Sequence, residues 1–167
     1  GQFVTLRDLR KEVGNDAARF YYVMRKSEQH IDFDLDLAVS QSKDNAVYYI
    51  QYAHARVNRM VDIRAPEKNI PFDRTALQNY DAKLLTLEAE FEILAKLAAY
   101  PDILVRAANA YEPHQIGNYL KELAALFHGW YNLDNVKILD ETNISLSQSR
   151  LLLSINVQQV LRNGLEL

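Results

Sequence analysis

Four side chains between residues 49 and 59 have types and spacing suited to binding chemistry. Tyr49, Tyr52, Arg56 and Arg59 are spaced 3-4-3, so on an α-helix they fall on one side. Two phenol rings and two guanidinium groups in a row suit RNA, because aromatic faces stack on unpaired bases and arginines hold phosphates or stack on base planes. The same pattern also describes a helix packed on both sides, its arginines reaching into water over tyrosine. Val47, Ile50, His54, Val57 and Val61 form a second stripe spaced 3-4-3-4, which reads as a core seam. His54 in that seam is expected to be buried, neutral and hydrogen-bonded.

A second aromatic cluster, Phe127-His-Gly-Trp-Tyr-Asn132, ends another helical pattern. Trp130 extends the apolar stripe of Ile116, Leu120, Leu123 and Phe127 and belongs with the core. His128, Tyr131 and Asn132 point elsewhere, and Tyr131 and Asn132 join the candidate RNA-binding set. Gly129 is unfavourable inside a helix by about 1 kcal/mol against Ala. That cost points to close packing or ligand approach, and a frayed helix end accounts for it equally.

Other constellations carry less. Asp32, Asp34 and Asp36 open like a calcium loop, but Leu37 stands where the loop needs Gly and Lys43 where it needs Glu. No pair among His30, His54, His114 and His128 has the spacing of two metal ligands on one helix face, so the histidines read as structural. There is no Gly-rich phosphate loop and no nucleophile elbow. The residues themselves point to no catalytic site and no metal site.

The elements that must position these groups are helical. With 5 Gly and 4 Pro in 167 residues, the chain lacks the turn residues of a β-sandwich. Helices are expected from Leu6 to about Val13 (capped by Thr5, ended by Gly14) and from Ala17 to about Lys26. Ile31, Phe33, Leu35 and Leu37 alternate with aspartates, which predicts an extended segment. A long helix follows, capped by Asn45 or Asp44 and running to about Arg64. A helix over residues 80–100 is expected to bury Leu84, Leu87, Phe91, Leu94 and Ala98. Shorter and longer helices start at Pro101 and Pro113, and a last one from Arg150 is capped by Ser147 or Ser149. The fold class is all-α, an antiparallel helical bundle with a small mixed N-terminal appendage. The net charge of −3 means that any RNA binding relies on a local patch rather than bulk charge. With no Cys, disulfides and thiolate metal sites are excluded. No apolar run approaches the roughly 20 residues of a membrane span. The chain starts at Gly1 and ends just after an apolar helical segment, so both ends read as cut from a longer protein.

In this order the clusters resemble the C-terminal region of bacterial arginyl-tRNA synthetases, which are class I enzymes. Gly1-Gln-Phe-Val-Thr-Leu-Arg-Asp-Leu9 looks like the stretch after the KMSKS-type loop. Asp16-Ala-Ala-Arg19 resembles the motif that names the DALR anticodon-binding domain. Asp32-Phe-Asp-Leu-Asp-Leu-Ala38 matches an acidic segment of the family. Val47 to Arg56 is similar to the first helix of its anticodon-binding domain, and Phe127 to Asn132 to its Phe-His-x-x-Tyr-Asn segment. Arg150 to Leu167 looks like the terminal helix. The resemblance implies that residues 1–40 are the end of the catalytic domain, in a stem-contact region, and that residues 41–167 are a DALR-type helical domain truncated at its C-terminus.

It further implies a parent enzyme that joins arginine to its tRNA using ATP with magnesium, with tRNA(Arg) gripped by the anticodon stem and loop. This part would hold no cofactor, lack the catalytic motifs and be inactive alone. The implied partners are tRNA(Arg) and the upstream catalytic domain, without membrane or DNA, in a cytoplasmic and monomeric parent. The implied tRNA-binding residues are Tyr49, Tyr52, Arg56, Arg59, Tyr131 and Asn132. A helical protein-interaction module without nucleic-acid binding is the alternative.

Overall fold

The computed structural model describes residues 5–26 and 34–167, and these are helical with no strand among them. The expected all-α bundle is the observed architecture. His30, Ile31, Asp32, Phe33 and the segment Gly1–Val4 lie outside the described residues.

Helix α1 (Leu6–Val13) starts where Thr5 Oγ1 accepts from the Asp8 N–H at 3.2 Å. Gly14, at φ +83°, turns the chain directly into α2 (Asn15–Val23), two residues earlier than its apolar run suggests. Leu35 and Leu37 are not extended. They sit in a short helix, α3 (Leu35–Val39), because Asp34 caps it by accepting from the Leu37 N–H at 2.9 Å. Asp34 is thus a cap rather than the wet edge of a strand.

Asn45 joins this region to the long helix α4 (Ala46–Arg59). Its carboxamide accepts from the Tyr48 N–H and donates to the carbonyls of Ala38 and Ser40 at 3.0 and 2.7 Å. One buried side chain therefore caps α4 and satisfies the end of α3. Ile50, Ala53 and Val57 are wholly buried in α4, and Val47 in the same helix and Met60 and Val61 just beyond it are nearly so. His54 is only half-buried, so its place in the seam is corrected. Ala53 takes the inward position, where α8 and α9 pack against α4, and His54 is turned to the rim. Beyond Arg59 the helix widens into a π turn (Met60–Arg64) before α5 (Ala65–Glu67). Pro66 lacks an N–H, and its ring would meet the Asp62 carbonyl in a continued α-helix, so the wider turn relieves that clash.

The rest of the bundle is α6 (Glu88–Ala98), α7 (Tyr100–Ala110), α8 (His114–Tyr131) and α9 (Ile144–Glu166). In α8 the predicted stripe holds from Leu120 on: Leu120, Leu123, Phe127 and Trp130 are all buried, while Ile116, near the start of the helix, is half-buried against the core. Two expectations fail. The α6 seam is not Leu84, Leu87, Phe91, Leu94 and Ala98, since Leu84 precedes the helix and Phe91 is 54% exposed. Glu90 and Ile93 face inward instead. One Glu90 oxygen accepts from the Thr86 and Leu87 N–H groups at 2.9 and 3.0 Å; the other meets Arg150 Nε at 2.7 Å. A carboxylate that caps its own helix and pairs with a buried arginine takes a core position that polarity alone assigns to water. The last helix also begins earlier than Arg150, at Ile144 behind an Asn143 cap. Ser147 and Ser149 are fully buried within it, donating to the carbonyls of Asp140 and Asp81.

Candidate nucleic-acid interface

Helices α4 and α8 meet so that the two sequence clusters become one. Arg56, a half-buried residue of α4, reaches across to the end of α8. Its Nη1 donates to His128 Nδ1 at 3.1 Å and to Asn132 Oδ1 at 3.4 Å, and its Nη2 donates to the Tyr52 hydroxyl at 3.0 Å. The guanidinium carbon lies 4.6 Å from the Tyr52 ring centre and 4.2 Å from that of Tyr131. Both distances are within the range of a cation–π attraction.

The rings continue around it. His128 lies 5.4 Å from Tyr52 in a stacked arrangement and 4.4 Å from Tyr49 in a tilted one. Tyr48 and Tyr52 are stacked with planes 4° apart. The His128 ring is buried, and its Nε2 faces the Tyr49 carbonyl oxygen at 3.2 Å. Burial pushes the imidazole below the ordinary 6.5; the carbonyl bond acts in the opposite sense, and the Arg56 charge lowers it again. The outcome is a cation bounded by neutral rings at a helix–helix edge. Such a group attracts anions while its neighbours offer flat faces for bases.

Tyr49, Tyr52, Arg56, Tyr131 and Asn132 therefore meet in one place. Tyr49 is half-buried and packs against the core, and its carbonyl carries the link to His128. Arg59 is exposed, one helical turn beyond Arg56. Two members were missed. His128 reads as a structural histidine from its spacing, yet it is the ring on which the cluster turns. Tyr48 stands four residues before Tyr52 and eight before Arg56, a second stripe that the 3-4-3 spacing conceals. Gly129 is exposed, and a Cβ there would meet no atom within 4 Å, so close packing does not explain it. No group of residues able to hold a metal ion occurs among the described residues. None of their helices is long and apolar enough to cross a membrane.

A family model for the DALR anticodon binding domain matches residues 50–167. The chain belongs to that family. It is 75% identical over its whole length to an arginine–tRNA ligase of Acinetobacter baumannii (strain AYE), of which it covers 27%. It is 57% identical to an arginine–tRNA ligase of Psychrobacter sp. (strain PRwf-1), of which it covers 28%. The chain thus spans little more than a quarter of the length of these curated relatives. A Campylobacter jejuni crystal structure assigned as an arginyl-tRNA synthetase matches with a TM-score of 0.83 and 26% identity, over 99% of this chain and 34% of that one. The DALR match includes Tyr52, Arg56, His128, Tyr131 and Asn132, so the ring-bounded arginine lies within the matched domain.

Proposed function

We propose that this DALR domain grips the anticodon stem and loop of tRNA(Arg) as part of an arginine–tRNA ligase. That enzyme would use ATP with magnesium and act in the cytoplasm as a monomer. Residues 1–40 would then be the end of the catalytic domain, in its stem-contact region, and residues 41–167 would hold the RNA. The observation that carries the reading is Arg56, held between the Tyr52 and Tyr131 rings at a half-exposed edge of an anticodon-binding fold. The names of the relatives, arginine–tRNA ligases in two bacterial genera, support the choice of tRNA(Arg).

The roles divide by freedom. Arg56 has several of its N–H groups engaged within the protein, so it orders the face and offers RNA its charge and remaining donors. Arg59 is the exposed cation suited to a phosphate. Tyr52 and Tyr131 supply ring surface, Asn132 a carboxamide beside them, and Tyr49 support from below. The test compares tRNA(Arg) with a scrambled RNA of equal length over a range of salt. Tighter, salt-dependent binding of tRNA(Arg) is expected. Equal, weak binding of both RNAs would favour a protein-interaction module instead.

A further inference from the structure

His128 is buried, ionisable and bonded at both ring nitrogens, yet the anticodon-arm reading gives it no RNA contact of its own. Its tautomer follows from its neighbours. A guanidinium only donates, so Nδ1, 3.1 Å from Arg56 Nη1, must hold a lone pair. A carbonyl oxygen only accepts, so Nε2, 3.2 Å from the Tyr49 oxygen, must carry the hydrogen. Only the neutral Nε2–H form satisfies both.

We propose that His128 is a positioning residue for RNA recognition: its neutral ring latches the Arg56 guanidinium between Tyr52 and Tyr131, and protonation at Nδ1 releases it. A proton on Nδ1 would point one N–H at another and bring two cations to hydrogen-bond distance. The ionisable groups facing the ring from α4 are Tyr49, Tyr52 and Arg56; on α8, Phe127 lies against it and Tyr131 shares Arg56 with it. None of these is a carboxylate that would stabilise an imidazolium. Once Arg56 swings away, the bonds to Tyr52 and Asn132 and both ring contacts go together. The RNA half of this inference rests on the proposed function; the latch itself does not.

The experiment combines ring-nitrogen NMR of the wild-type chain with RNA binding, from about pH 7.5 to about pH 5. The expected spectra show Nε2–H at neutral pH, then a His128 titration below 6.5 with loss of the ordered Arg56 guanidinium signals at the same midpoint. Over the same range, affinity for tRNA(Arg) relative to scrambled RNA should fall about tenfold, as expected for losing one stacking or cation–π platform. His128→Asn places an acceptor near Nδ1 that cannot be protonated, so it should keep Arg56 held and remove this pH dependence. An Nδ1–H tautomer, a His128 titration that leaves the Arg56 signals unmoved, or a wild-type fall in affinity that persists in His128→Asn would each overturn the latch. The wild-type spectra decide this even if the variant folds poorly. Failure of the RNA reading looks different: the latch titrates as described, but both RNAs bind alike at every pH, which overturns the role in recognition.

Discussion

Arg150 and Arg56 each join two helices, and their surroundings differ. Arg150 is buried against Glu90, its charge met by a carboxylate at 2.7 Å and by the Lys137 carbonyl at 2.8 Å. Arg56 is half-exposed against histidine, tyrosine and asparagine, all uncharged. The first charge is cancelled inside the fold and has nothing left to offer a ligand. The second is held in place without being neutralised, so its field reaches solvent. Removing either damages the fold, but only the second removal should also be felt by a polyanion.

The largest effect is expected at the buried pair. Glu90→Ala strands the Arg150 charge and uncaps α6, so it should lower stability by about 3–5 kcal/mol, read from denaturant unfolding. Any RNA affinity should persist in the fraction that stays folded. Arg56→Ala should cost less, about 1–2 kcal/mol, because its bonds and ring contacts lie at a wet edge. Its affinity for tRNA(Arg) should nevertheless fall well beyond what unfolding explains. If both substitutions change binding only through stability, the contrast between the two arginines fails.

Acid should separate the regions further. His128 and His54 both lie below the ordinary 6.5, His54 through burial and then the Arg162 and Arg74 charges. Below about pH 6.5 the unfolded chain takes up these protons more readily than the folded one. The stability tied to neutral imidazoles is therefore full above that pH and lost as pH falls through the lower folded values. Denaturant midpoints against pH should show the loss, and His128→Asn should remove its share. The smallest effect is expected at Gly129→Ala, which should raise stability by up to about 1 kcal/mol because nothing crowds a Cβ there. A stabilised variant that binds tRNA(Arg) less well would mean that RNA approaches α8 at that point.

Much of the frame was legible because caps and apolar seams are local. Thr5, Gly14 and Asn45 bound their helices as their types predict, and the α8 stripe from Leu120 to Trp130 is buried. The misses come from pairings that no local pattern contains. Glu90 reads as wet until Arg150, 60 residues later, is beside it. Ser147 and Ser149 look like caps because their carbonyl partners, on Asp140 and Asp81, lie outside the helix. The candidate site was legible in its parts, Tyr52 and Arg56 on one helix and Tyr131 and Asn132 on another. Its centre was not, because His128 is defined by Arg56, 72 residues away. Tyr49 shows the ambiguity of helical spacing: its stripe runs from core to edge, so it packs inward while Arg59 stays in water.

The most direct test of the central claim is the salt dependence of tRNA(Arg) binding, measured in the wild type, Arg56→Ala and Arg59→Ala. For Arg59→Ala, a phosphate contact predicts a slope of log affinity against log salt that is smaller by about 1. For Arg56→Ala, loss of both an un-neutralised charge and the ring platform it orders predicts the larger drop in affinity, with a slope smaller by up to about 1. Wild-type affinity and slope in both variants would contradict the account and leave this edge of the bundle a solvated helix surface.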